Sequence, residues 1–132
     1  MKSQFSTAWI GSSQPRKQRK YRYEAPLHIK HKFLSAPLSK ELRTKYKTRS
    51  LPVRVGDEVL VMRGAFAKKK GKVAKVYLKK TRVTVEGITR KKIDGSKLNV
   101  YIDPSKLQIT TLKTDDKRRL YSGEAKDAQN KK

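Results

Sequence analysis

The chain has 132 residues, and its 35 Lys and Arg against 11 Asp and Glu give a formal net charge of +24, so it repels itself strongly and calls for an anionic partner, nucleic acid first. With 35% hydrophobic residues it can bury one small core and not a second, and without cysteine it has no disulfide, thiolate nucleophile or Cys-based zinc site. Phe5, Trp9 and Ile10 near the N-terminus are interrupted by Ser, Gln and Thr, and no run is long enough to span a bilayer, so a soluble intracellular protein is expected.

Residues 1–52 read as a basic N-terminal extension with 13 cations and 2 anions. The first fifteen form a Ser/Gln-rich arm ending in Pro15. It is either a frayed terminus or an arm whose aromatics pack on RNA or a neighbouring protein. Arg16, Lys17, Arg19, Lys20 and Arg22 follow, beside Tyr21 and Tyr23. Cations next to rings that can stack on unpaired bases suit RNA better than a merely solvated charge run.

Two short helices are expected next. The first opens at Pro26 and runs to Leu34, with Leu27, His31 and Leu34 on one face, and Ser35-Ala36-Pro37 breaks it. The second is capped by Ser39, carries Glu41 in its first turn, and repeats Leu38, Leu42 and Tyr46 every fourth residue. Lys30, Lys32, Arg43, Lys47 and Arg49 are candidate RNA contacts on these elements and the link after them. His28 and His31 are three apart, but with no Cys and only Glu24 nearby they make no metal site.

Residues 53–112 read as the folded domain. Val59 to Met62, Val73 to Leu78 and Val83 to Val85 are short β-branched runs that predict a meander of antiparallel strands. The first link carries Arg63, Phe66, Lys68, Lys69, Lys70 and Lys72, bounded by Gly64 and Gly71, both able to take φ > 0. It is suited to phosphate; the competing reading of Lys68 to Lys70 is protection of a strand edge. It is not a nucleotide-binding P-loop, because six residues separate the glycines where four are needed and Val73 replaces the metal-binding Ser or Thr. Asp57-Glu58 is no catalytic pair: neighbours in a strand point to opposite faces, so a turn residue and an edge charge explain them better.

Lys79, Lys80 and Arg82 add cations to the next turn. Within the domain, residues 88–102 predict a projecting hairpin with a two-residue Asp94-Gly95 turn and with Arg90, Lys91 and Lys92 on its outgoing arm. Asp103-Pro104-Ser105 ends it, and Leu107 to Thr111 forms the closing strand. Residues 113–132 read as a short helix capped by Thr114 and a flexible tail, apolar-free from residue 124 apart from alanine.

Gly56-Asp57-Glu58-Val59, Arg63-Gly64, Phe66 and Gly71-Lys72-Val73 with Val76 resemble a KOW motif, the RNA-associated module of an SH3-like barrel. The flanks extend the likeness: Pro15 to Lys20, Ala25 to Ile29, Ser35 to Arg43, Arg49 to Arg54, Val85-Glu86-Gly87, Asp94-Gly95 and Pro104 to Leu107. Over roughly residues 14 to 121 the chain resembles the archaeal and eukaryotic form of the universal twenty-fourth large-subunit ribosomal protein, numbered twenty-six in eukaryotic nomenclature. One departure is that the family usually has Lys-Gly after the loop aromatic, where this chain has Ala67-Lys68.

The expected fold class is therefore mainly β: a small SH3-like barrel with a KOW motif, a projecting β-hairpin, and helical or extended basic N- and C-terminal extensions. The resemblance implies a structural, non-enzymatic constituent of the large ribosomal subunit, binding large-subunit rRNA during assembly near the polypeptide exit tunnel, beside neighbouring large-subunit ribosomal proteins. It implies residence in the cytoplasm, with nucleolar assembly in a eukaryote. No cofactor, metal, membrane or small-molecule substrate is expected. Two rival classes are an adaptor in transcription elongation, where KOW-type barrels also occur, and an enzyme acting on RNA. The first would normally bring a second folded domain or acidic tracts, and the second lacks an acid–base or metal constellation.

Overall fold

β-branched runs and the turns between them set the architecture, described in a computed structural model for residues 5–116 and Arg119. The expectations for the Trp9 side chain, for most of the C-terminal helix and for the tail lie outside the described residues. In chain order the elements are a 3-10 helix (Thr7–Gly11), α1 (Pro15–Glu24), α2 (Leu27–Phe33), β1 (Ser35–Pro37), α3 (Lys40–Tyr46), β2 (Ser50–Pro52), β3 (Glu58–Val61), β4 (Lys70–Tyr77), β5 (Arg82–Val85), β6 (Thr89–Lys91), β7 (Lys97–Asn99), a 3-10 helix (Pro104–Lys106) and β8 (Leu107–Thr111).

The central sheet is antiparallel in the order β5-β4-β3-β8. Register shifts between Glu58 and Val59 and between Val73 and Lys75 mark irregularities of the bulge kind, which bend and twist a sheet. Both edges are covered. The β5 edge takes the reciprocal bonds Val83 N–H to Ile102 O (3.0 Å) and Ile102 N–H to Val83 O (2.8 Å). Near the β8 edge, Leu38 bridges Ile109 in parallel and the Ser39 N–H donates to Ile109 O at 2.9 Å. The result is a mainly β, barrel-like domain with three short helices.

Alternation along the strands puts Val59, Val61, Val73, Val83, Val85, Leu107 and Ile109 inside, each at most 2% exposed. Leu34, Ala36, Leu38 and Leu51 belong to the same core. The β1–β2 pair therefore supplies core residues from before residue 53, and the apolar core runs across that boundary. Each fully buried Leu, Ile or Val contributes about 1.5–3 kcal/mol.

Several local expectations are corrected. Among the described residues, three α-helices stand before residue 53 where two were expected. Pro15 begins α1, where its fixed φ and missing N–H cost nothing, and the Arg, Lys and Gln that follow are good helix formers. Their charge hid the helix, because its single buried residue is Tyr21, whose ring centroid lies 5.0 Å from Phe5 and 6.0 Å from Phe33. In α2, Pro26 is the N-cap and no helical residue is buried; Leu27 is 51% exposed, and only Leu34, just past the end, enters the core. Ser39 does cap α3, its Oγ accepting from the Leu42 N–H at 3.4 Å.

The hairpin turn is also longer than two residues. The Gly95 N–H donates to Lys92 O at 3.1 Å and the Lys92 N–H to Ser96 O at 2.9 Å, so Ile93, Asp94 and Gly95 form the loop, with Gly95 at φ +85°. Ser96 donates to Asp94 Oδ1 from Oγ (2.6 Å) and from N (2.8 Å), holding that carboxyl below its ordinary range.

Candidate nucleic-acid interface

No acidic residue stands between Val59 and Val85, while Arg63, Lys68, Lys69, Lys70, Lys72, Lys75, Lys79, Lys80 and Arg82 do. All of these but Arg82 are exposed. Arg63, Lys68 and Lys69 precede strand β4, Lys70, Lys72 and Lys75 lie on it, and Lys79 and Lys80 follow it. The β3–β4 loop lies at its start and the β4–β5 turn at its end, about 23 Å away at ~3.3 Å per residue. The cations are strung along β4 and past both of its ends, an arrangement for an extended polyanion and not for a small anion.

Backbone bonds hold the first loop. The Lys68 N–H donates to Val61 O (2.8 Å), the Val61 N–H to Lys69 O (2.9 Å) and the Ala67 N–H to Gly64 O (3.0 Å). Gly64 takes φ +100° as expected, but Gly71 does not take a positive φ. It lies in β4, where an added Cβ would come 2.7 Å from Glu86 O and 2.8 Å from Val85 Cγ1. Gly71 is needed for close approach of two strands. The left-handed residue is Lys68, at φ +69°, the very position where this sequence lacks the expected glycine. Phe66 is half-buried against the core and carries Lys69 Nζ 5.3 Å above its ring, so it serves as a support for the loop and its lysine.

The other candidates divide by what they touch. Arg16, Arg19, Lys20 and Arg22 are exposed on α1, and Arg22 lies over the Phe33 ring at 5.8 Å. Lys17 on α1 is partly buried, and Lys30 on α2 donates from Nζ to Tyr23 O at 3.0 Å. Lys20 pairs with Glu24 at 3.9 Å, an exposed contact worth little. Lys32, Arg43, Lys47 and Arg49 are exposed around α2 and α3, with Arg43 Nε donating to Leu38 O at 2.9 Å. Arg90, Lys91 and Lys92 lie on the fully exposed outgoing arm of the finger. Arg82 differs: its guanidinium is ion-paired with Asp103, tying β5 to the start of the second 3-10 helix. Burial pushes the Asp103 carboxyl up, but hydrogen bonds from Ser105 Oγ and N, with the charges of Arg82 and Arg22, outweigh it and hold the group below its ordinary range.

A family model covering the eukaryotic ribosomal proteins L26 and their archaeal L24 counterparts matches residues 12–122. The chain belongs to this ribosomal-protein family. It is similar to the large ribosomal subunit protein uL24 of Korarchaeum cryptofilum (strain OPF8), 48% identical over 110 residues that cover 83% of this chain and 84% of that protein. The uL24 proteins of Methanospirillum hungatei JF-1 (50% over 108 residues, 82% and 90% covered) and Methanocorpusculum labreanum (47% over 119 residues, 90% and 98% covered) are similar too. A ribosomal protein is structural and not an enzyme, and among the described residues no cluster of three or more His, Asp or Glu could hold a metal ion. No helix among them is long and apolar enough to cross a membrane.

Two features of this ribosomal protein escaped the sequence reading. Asp57 is fully buried and chelated by Arg119, whose Nη1 lies 2.6 Å from Oδ1 and Nη2 2.5 Å from Oδ2; Arg54 N–H (2.8 Å) and Lys113 N–H (3.0 Å) also donate to it. Nothing in the spacing marks residues 62 apart as partners. The second is Lys75, whose Nζ lies over the ring of Tyr77, itself paired with Tyr101. The alternation of β4 with its basic end was the available signal.

Proposed function

We propose that this protein is a structural constituent of the large ribosomal subunit that binds large-subunit rRNA and stabilises it during assembly, near the polypeptide exit tunnel and beside neighbouring large-subunit proteins. The observation that carries the reading is the acid-free, solvent-facing cationic run from β3 to β5. In an SH3-like barrel of the KOW type, the exposed lysines at both ends of β4 neutralise phosphates on separate RNA segments, and each phosphate neutralised releases counterions. The hairpin of residues 88–102 and the basic helices of residues 1–52 extend the reach of the barrel between RNA helices. Recognition is by shape and phosphate placement more than by base sequence.

The carboxylates fit the same scheme. Asp57, Asp103 and Asp116 are paired with Arg119, Arg82 and Arg54, so their charge organises the fold and does not screen the loops. Sedimentation of a low-salt cell extract tests the reading. Comigration with large subunits is expected, with nucleolar staining in addition if the source is eukaryotic. Comigration with RNA polymerase would establish the adaptor reading instead.

A further inference from the structure

Two tyrosines and two lysines meet at the far end of β4, and their rings set this site apart from the β3–β4 loop. Tyr77 ends β4 and pairs with Arg82 across the turn; Tyr101 lies next to Ile102, which is bonded to Val83 on β5. The sheet thus sets the two rings edge to face, with centroids 5.1 Å apart at 75°. Lys75 Nζ lies 5.4 Å from the Tyr77 ring and Lys80 Nζ 4.8 Å from the Tyr101 ring. Tyr101 is 48% exposed and Tyr77 partly so, so ring surface is offered to solvent.

The turn that carries Lys79 and Lys80 is held in a costly shape. Thr81, a β-branched residue, takes φ +50°, with its N–H donating to Leu78 O at 3.2 Å. Such backbone strain persists only where the surroundings over-determine it. The acid nearest in the chain to Tyr101, Asp103, is neutralised by Arg82. A half-exposed ring whose face is covered only by the flexible end of Lys80, with the local carboxylate already paired, is chemistry for a base with its phosphates. The base takes the place of the ammonium over the ring and the lysine swings to a phosphate. An acidic protein segment would use the lysines and leave the rings without a role.

We propose that Tyr101, braced by Tyr77, stacks on an unpaired RNA base, while Lys75, Lys79 and Lys80 take the phosphates on either side of it. The proposal rests on the RNA-binding reading above and deepens it: this end of the barrel selects a single-stranded or bulged nucleotide, and the β3–β4 loop takes backbone phosphates. The edge-to-face geometry matters because it fixes the plane of Tyr101 before the base arrives.

The test compares full-length wild type with Tyr101→Leu and Tyr101→Phe, titrating a short single-stranded oligouridylate and an RNA duplex by fluorescence anisotropy. Wild type is also titrated with a large-subunit rRNA fragment. Tyr101→Leu is expected to weaken single-strand binding about 5- to 100-fold with an unchanged salt slope, as loss of one base–aromatic stack requires. Tyr101→Phe keeps the affinity, and the duplex is affected less than about twofold. In wild type the Tyr101 ring protons should shift upfield on adding the oligomer, a readout that needs no variant. Equal single-strand binding by wild type and Tyr101→Leu, or no ring shift, overturns the site while rRNA binding by wild type leaves the functional reading standing. Absence of rRNA binding by wild type defeats both. Loss of subunit incorporation with RNA binding intact would assign the rings to a protein contact and overturn the proposal.

Discussion

Replacing Asp57 with alanine removes the acceptor for four donors at once: two guanidinium nitrogens of Arg119 and the N–H groups of Arg54 and Lys113. The Arg119 side chain is 3% exposed and the Asp57 side chain 0%, so water does not readily replace the lost oxygens. Breaking a buried pair by deleting one partner costs about 3–5 kcal/mol, and each buried N–H left unsatisfied adds about 1–3 kcal/mol unless the site relaxes. We take ~4 kcal/mol as the expected loss, a large part of the ~5–15 kcal/mol that holds a typical domain. At roughly 4 °C per kcal/mol for this size, the midpoint of thermal unfolding should fall by about 15–20 °C. Arg119→Met is the informative partner. It leaves the carboxylate with its two backbone donors, so it should fall by less, about 10 °C. Calorimetry or circular dichroism on the full chain reads both. A drop under about 5 °C for Asp57→Ala, or a larger drop for Arg119→Met, would refute the clamp as an element of stability.

Three further outcomes follow from the same geometry. Lys68→Gly should stabilise the protein by about 0.5–1 kcal/mol in denaturant titrations, since relief of the left-handed strain exceeds the backbone entropy glycine adds to the unfolded chain; a destabilised variant contradicts that account. Gly71→Ala should cost about 1–3 kcal/mol by the same assay, because the new methyl meets the backbone oxygen of Glu86, and a neutral result would mean that the strands part without penalty. Asp103, held below its ordinary range, gives stability that is fully present above the unfolded carboxylate pKa of about 3.9 and is lost as pH falls through its lower folded value. Asp103→Asn should therefore flatten the decline of melting temperature below about pH 4, and an acid limb identical to wild type would remove Asp103 from the linkage.

The strands were legible because β-branched residues recur between turn signals: the runs at Val59, Val73, Val83 and Leu107 all lie in strands. Helix α1 was not, because ten residues with one buried side chain carry no apolar period. Likewise Leu38 reads as the first apolar position of a helix, but it pairs with Ile109 and enters the core, a tertiary override invisible to local spacing. The cationic loops stand out as a candidate interface from composition alone, since charge of one sign needs no partner residue to be recognised. That Arg82 is ion-paired could not be read, because its carboxylate lies 21 residues away. The Tyr77–Tyr101 pair depended on sheet closure in the same way.

The central claim, that the exposed lysines of the β3–β4 loop neutralise rRNA phosphates, is tested most directly by the salt dependence of binding. A large-subunit rRNA fragment is titrated over a range of monovalent salt with wild type and with a variant carrying Lys68→Gly, Lys69→Ala and Lys70→Ala, which spares the loop backbone. With all three lysines on phosphates, the slope of log affinity against log salt should shrink by about 2 to 3 units in the variant, at ~0.7–0.9 per lost contact. An unchanged slope would show that these lysines face water in the complex.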